Sequence, residues 1–288
     1  MASSGMARKA IAAILVAWAV SVSAENVPQQ QAPLVDTLPS AQEFYYPLMA
    51  DPTELGFSGR YFHQTGGADF SEVSLGDYLG VLRLRLPANW VMQLNVGGGV
   101  LARFDMSSVR NALEVADYTA CLPLDIHRGA HTIRMGYWHT SSHLGDDFIK
   151  DNPGFVLQKR TTDSMKATYS YTPTDWVRAY GGGSYAFNAV NVGGRSILQG
   201  GLELLSPYFG GHSAQLFLAQ DFQSLQRVHW NPAYTVRAGV RATNSRHYGA
   251  ARLFVEYFTD HYYFLQLYEH SESHVGIGLS LEIGNPTK

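Results

Sequence analysis

The sequence predicts an all-β protein, an antiparallel transmembrane β-barrel of about twelve strands of the outer-membrane type. Three observations lead there. Apolar and polar residues alternate with a period of two from Phe57 onward, the alternating segments are even in number and of strand length, and short connections alternate with long ones.

The chain opens with Arg8 and Lys9, runs apolar from Ala10 to Val22, and places Val22-Ser23-Ala24 before Glu25. A basic start, a short apolar run and small residues at a scission point describe a secretory signal peptide over 1–24. The run is shorter than the roughly 20 residues a spanning helix needs. Residues 25–55 read as a periplasmic lead-in, Pro- and Gln-rich from Asn26 to Ser40, and 56–288 as the barrel. Whether 41–56, AQEFYYPLMADPTELG, plugs the barrel or lies outside it is open at this level. The single cysteine, Cys121, cannot close an intrachain disulfide, so sheet and packing must hold an exported chain together.

Strands are expected near 56–64, 75–86, 89–103, 113–126, 130–143, 163–172, 174–187, 197–206, 212–222, 233–243, 249–259 and 274–283. In the second, YLGVLRLRL sets Tyr78, Gly80, Leu82, Leu84 and Leu86 on one face against Asp77, Arg83 and Arg85. In the tenth, Val236, Ala238 and Val240 oppose Arg237 and Arg241; in the last, Val275, Ile277, Leu279, Leu281 and Ile283 oppose His274, Ser280 and Glu282. The short connections are LPAN (86–89), HRGA (127–130), TPTD (172–175) and PYFGG (207–211), and the longer ones include 143–162, 223–232 and 260–273. Pro with Asn or Asp makes such turns. Trp90 and Trp176, each just past one, suit the aromatic girdle of a membrane interface. The runs Gly97–Gly99 and Gly181–Gly183 fit close packing or bending of a curved sheet.

A soluble β-sandwich or lipocalin-like barrel would alternate too. The side opposite the apolar face decides: it carries Arg83, Arg85, Arg134, Glu203, Arg237, Arg241, Arg252 and Glu256, which an apolar interior cannot hold and the polar interior of a membrane barrel can. A formal charge of −3 with scattered bases gives no footprint for nucleic acid. With both termini periplasmic in the outer membrane, the fifth strand climbs toward the cell surface.

Along that strand, Arg134 points to the lumen, so parity sends Ile133, Met135, Tyr137, His139, Ser141 and His143 to the lipid side. Polar groups on that side cost free energy, least near the interface, and their presence invites a chemical explanation. A serine hydroxyl is a poor nucleophile until a histidine accepts its proton and a third polar group fixes the imidazole. His139 and Ser141 share one face about 7 Å apart at Cα, close enough for side chains to meet beside an outer-leaflet lipid ester. The third member is open between Asp151 in a long loop, Glu114 atop the fourth strand, and Asp163, whose parity matches Met165 and Ala167; Asp163 is preferred.

The stretch HTS at 139–141, lipid-facing near the top of a strand in a barrel of about twelve, is similar to outer-membrane phospholipase A and, more loosely, to the lipid A deacylase barrels. That resemblance implies Ser141 as nucleophile and His139 as base, with a carboxamide or carboxylate as third member. The chain departs from it in following the serine with Ser142-His143 instead of Asn-Gly. YPLMADPTELGFS together with YWHTSSHLGDDFI resembles an uncharacterised proteobacterial outer-membrane barrel family of unassigned function.

Three functions therefore compete. The first is lipid-directed acyl ester hydrolysis, with outer-membrane lipid as the partner. The second is a non-enzymatic pore or structural barrel, in which His139 and His143 are interfacial residues beside Tyr137 and Trp138, and Asp146-Asp147 open a solvated loop. The third, surface adhesion, rests only on the long loops. No organic cofactor is expected. A metal reading with His139, His143, Asp146 and Asp147 as ligands admits calcium, and the spacing of His261, His270 and His274 demands none.

Overall fold

The computed structural model describes residues 34–39, 44–210, 213–243 and 249–283; the signal-peptide expectation lies outside them. Twelve strands, β2 (Phe57–Gln64), β3 (Asp69–Leu86), β4 (Trp90–Asp105), β5 (Ala112–Arg128), β6 (His131–Leu144), β7 (Arg160–Thr174), β8 (Val177–Val190), β9 (Ser196–Leu205), β10 (Ala214–Leu225), β11 (Pro232–Thr243), β12 (Gly249–His261) and β13 (Ser271–Ile283), pair antiparallel in chain order. Pairing of β13 with β2, Leu281 opposite Phe57 through His274 opposite Gln64, closes the barrel and leaves no long free edge. A short strand β1 (Val35–Thr37), expected as loose lead-in, pairs with β3 at Leu82–Leu84, below the start of β2.

Alternation sorts the side chains as the membrane requires. Val275, Ile277, Leu279 and Leu281 of β13 point outward, while His274 and Ser280 are buried inside. Of the eight charged residues expected in the lumen, seven are buried and Arg85 is half-buried. The face of β3 needs correcting: a bulge at Val81 flips its parity, so Tyr78 and Gly80 point inward with Arg83, and Leu82 and Leu84 outward. Trp90 and Trp176 stand partly exposed at the short-turn end, and Gly97 leaves room for the Tyr78 ring, which a Cβ there would approach to 2.6 Å.

Two inserted segments fill the lumen. From the short-turn end, residues 44–55 of the expected periplasmic lead-in run inside the barrel, with Tyr45, Leu48, Ala50, Asp51 and Leu55 buried. The lumenal ions explain the placement, because they need partners. Arg178 donates to the carbonyls of Tyr46 and Pro47, Arg237 to that of Met49, and Glu203 accepts from the Met49 amide at 2.7 Å. From the long-loop end, the 260–273 connection, expected only as one of the longer loops, turns in and buries Tyr262 through Tyr268. Tyr263 donates to Glu72, and the Leu265 amide to Asp117.

Between these segments lies a buried ionic network. Arg103 donates to Glu72 at 2.7 Å and to both oxygens of Glu272 at 2.6 and 3.0 Å. Its guanidinium lies within 6 Å of five ring centroids, those of Phe62, Phe70, Tyr262, Tyr263 and Phe264. His274 sits between Glu256 and Glu272 at 3.1 and 3.3 Å, and Arg60 and Arg237 hold Glu256 from the other side. Below the first segment a cavity of about 540 Å³ remains, lined by Phe44, Tyr45, Trp176, Arg178, Tyr208 and Arg241. A lumen filled from both ends predicts no conductance: the purified barrel in planar bilayers should give no current steps. Regular steps would mean that one of the inserted segments leaves.

Candidate active site

The candidate site is built on β6 and its two neighbours, toward the long-loop end. Thr132, Arg134 and Ser142 of β6 are buried inside, whereas Met135, Tyr137, His139, Ser141 and His143 take the outward parity. On β7, Asp163 stands directly across from His139; on β5, Ala120 faces His139, Tyr118 faces Ser141 and Ala116 faces His143. Ala120 is exposed beside His139, whereas Ala116 is buried beside His143, and Tyr118, Leu122 and Met165 stand exposed on the same face.

His139 Nδ1 lies 2.8 Å from Asp163 Oδ1. A carboxylate only accepts, so the neutral ring carries its proton on Nδ1 and leaves Nε2 as the basic atom. Tyr137 donates to the same Oδ1 at 2.6 Å and Asn188 to Oδ2 at 2.8 Å, so three donors fix Asp163 in place. Asn188 reaches it through a bulge: the register passes from Asp163–Asn188 to Ser164–Ala186, and Phe187 is the extra residue on β8. Such bulges re-aim side chains and recur beside active sites. The side chains of His139 and Asp163 are 38% and 19% exposed, open to whatever bathes the outer wall.

Ser141 shares this face, but its hydrogen bond runs to His143, with Oγ 3.0 Å from Nε2, and not to His139. His143 in turn stands edge-on to the Tyr118 ring at 5.7 Å. The structure thus brings His139 to Asp163 and Ser141 to His143, as adjoining pairs on one strand face.

The other candidates lie apart. Glu114 is the bulged residue of β5 and turns inward toward Arg103, at 4.0 Å, so it does not share the outward face with Ala116 and Tyr118. Asp151 ends a short helix α1 (Asp146–Asp151) in the loop after β6. The ligand set His139, His143, Asp146 and Asp147 is not assembled: Asp147 pairs with Arg110 and Lys150 at 3.2 and 3.3 Å, while the histidines face Asp163 and Ser141. His274 belongs to the lumenal network, and among the described residues no three His, Cys, Asp or Glu side chains converge as a metal site. Sequence reading missed Asn188, whose parity only the bulge creates, and left Tyr137 without a role, although it lies two residues from His139 on the same face.

A closed antiparallel barrel with an apolar outer wall and a charged, filled interior defines the class: a bacterial outer-membrane β-barrel. The chain belongs to the family of proteins of unknown function DUF1207, whose model matches residues 18–283. Its fold is similar to that of the Salmonella typhi outer membrane phospholipase (OMPLA) dimer with bound calcium, at 14% identity and a TM-score of 0.55 over 92% of this chain and 96% of that one. It is also similar to outer membrane phospholipase A from Escherichia coli, at 13% identity and a TM-score of 0.53 over 84% and 95%. No curated protein sequence matches the chain.

Proposed function

We propose that this barrel hydrolyses acyl ester bonds of outer-membrane lipid at its lipid-facing wall, with Ser141 as nucleophile, His139 as general base and Asp163 orienting His139. The observation that carries the reading is the 2.8 Å bond from His139 Nδ1 to Asp163, which leaves Nε2 free on the face that Ser141 shares. In the proposed sequence Ser141 turns from His143 toward His139, a rotation about one side-chain bond. Its Oγ attacks the ester carbonyl as Nε2 takes the hydroxyl proton, and the imidazolium so formed rests against Asp163. Collapse expels the alcohol with that proton, and a water repeats the sequence to free the fatty acid. A lipid diffusing along the wall needs no entry path, and with both termini periplasmic the ester would come from the outer leaflet. The proteins of similar fold are phospholipases by name, which agrees with this substrate class.

The test is fatty-acid release by refolded protein from phospholipid and from lipid A in mixed micelles, with and without calcium. Wild type should release acid and His139→Ala should not. Asp163→Ala should lower kcat on the order of 10⁴-fold, the loss seen when a triad imidazole loses its orienting carboxylate. A folded wild type inert on every substrate would overturn the reading and favour a closed structural barrel, for which the filled lumen is the supporting observation.

A further inference from the structure

The proposed hydrolase needs a group to hold the oxyanion of its tetrahedral intermediate, and the roles assigned above to the side chains of Ser141, His139 and Asp163 do not provide one. We propose that His143 is that group, donating from its Nε2–H to the oxyanion formed when Ser141 attacks; the inference rests on the hydrolase reading and deepens it. Three observations point to this role.

First, His143 Nε2 already lies 3.0 Å from Ser141 Oγ. When Oγ turns to His139 for the attack, His143 Nε2 is left facing the side that Oγ vacates, and the oxyanion, two bonds from Oγ on the carbon attacked, can occupy that side. Preorganised donors at such a place are among the largest single contributors to acyl transfer, and imidazole is one of the side chains that serve.

Second, the base is held on the other side. Ser141 stands between His139 at i−2 and His143 at i+2 on one strand face. With Nε2 of His143 protonated, the imidazole donates to Oγ and the serine's own proton is left for Nε2 of His139, the atom that the Asp163 bond keeps basic. The order along the face is then donor, nucleophile, base and orienting carboxylate. The reverse assignment fails on one point: among the described contacts His143 has no carboxylate to stabilise the imidazolium a base becomes, since its other neighbour is the edge of Tyr118.

Third, a small residue faces the position. Ala116 lies opposite His143 on β5, so the ring has only a methyl group directly across from it, and the edge of Tyr118, the residue across from Ser141, flanks it on the side of the nucleophile.

The protons balance. The base takes the Ser141 proton and returns it to the leaving alcohol, while His143 keeps its own throughout, sharing it more strongly as charge builds on the oxygen.

The experiment compares wild type, His143→Ala, His143→Gln and His139→Gln on one phospholipid in mixed micelles, with the heat-dependent gel shift as a check on folding. His143→Ala should lower kcat on the order of 10²–10³-fold, the loss typical of one oxyanion donor, with KM nearly unchanged. His143→Gln keeps an N–H donor and should recover at least tenfold of that loss, whereas His139→Gln, which replaces a base with an amide, should stay at the level of His139→Ala. An active wild type with His143→Ala as fast as wild type overturns the inference and leaves the hydrolase standing. Equal inactivity of His143→Gln and His143→Ala also overturns it, because that is the behaviour of a base. An inert wild type removes the hydrolase reading and this inference with it.

Discussion

If the barrel is the proposed hydrolase, Ser141→Ala should abolish fatty-acid release, lowering kcat on the order of 10⁶-fold, and leave the barrel as stable as the wild type. The size follows from the chemistry: nucleophile and base act as a unit, so losing either costs nearly as much as losing both, and Ser141→Ala combined with His139→Ala should be scarcely worse than either alone. KM should change little, because the hydroxyl gives the bound lipid little beyond the bond it forms. Stability should hold because Ser141 is on the outward face, where a polar side chain is a cost and a methyl group is not. Kinetics in mixed micelles beside urea titration of the folded barrel separate the two effects. A serine variant that also unfolds at lower urea would show that the Ser141–His143 bond is structural.

Arg103→Ala destabilises the barrel by about 3–5 kcal/mol, the cost of removing one partner from a buried ion pair. Arg103 is fully buried; the two carboxylates it hydrogen-bonds belong to different strands, Glu72 to β3 and Glu272 to β13, and Glu114 of β5 lies 4.0 Å away. Without the cation, both negative groups remain inside; Glu272 keeps His274 at 3.3 Å and the Tyr262 hydroxyl, while Glu72 retains Arg60. The rings of Tyr262, Tyr263 and Phe264 also lose the guanidinium they surround, so the inserted loop should loosen first. Arg103→Met combined with Glu272→Gln should recover part of the loss, since one carboxylate fewer is stranded and Glu72 keeps Arg60. Urea midpoints in detergent read the effect, and a change under 1 kcal/mol would mean that water reaches this network and shares its charge.

Much of the barrel is legible in the sequence because its outer wall faces one solvent and its lumen another. Val275 through Ile283 alternate against His274 and Ser280 with nothing to interrupt the period of two, and the structure sorts them the same way. Legibility fails where one residue is inserted. The bulges at Val81, Glu114 and Phe187 each reverse parity without any mark in the local composition, which is why Tyr78 and Glu114 turn inward and Asn188 meets Asp163. The loop over Tyr262–Tyr268 did carry a signal: YYFLQLY is too apolar for a solvated connection, and it folds inward. At the candidate site, the shared face of His139 and Ser141 follows from spacing alone. The partner of each does not, because Ser141 can reach either of two histidines and only the side-chain geometry shows it on His143.

The proposed function stands or falls on Ser141 being an activated nucleophile on the lipid-facing wall. Treating the refolded barrel in detergent with a fluorophosphonate, which phosphonylates activated serines far faster than ordinary ones, and mapping the adduct by mass spectrometry reads this out. The expected result is a single adduct on Ser141, absent in His139→Ala and strongly reduced in Asp163→Ala. A folded wild type with no adduct at Ser141, or one equally modified without His139, would contradict it.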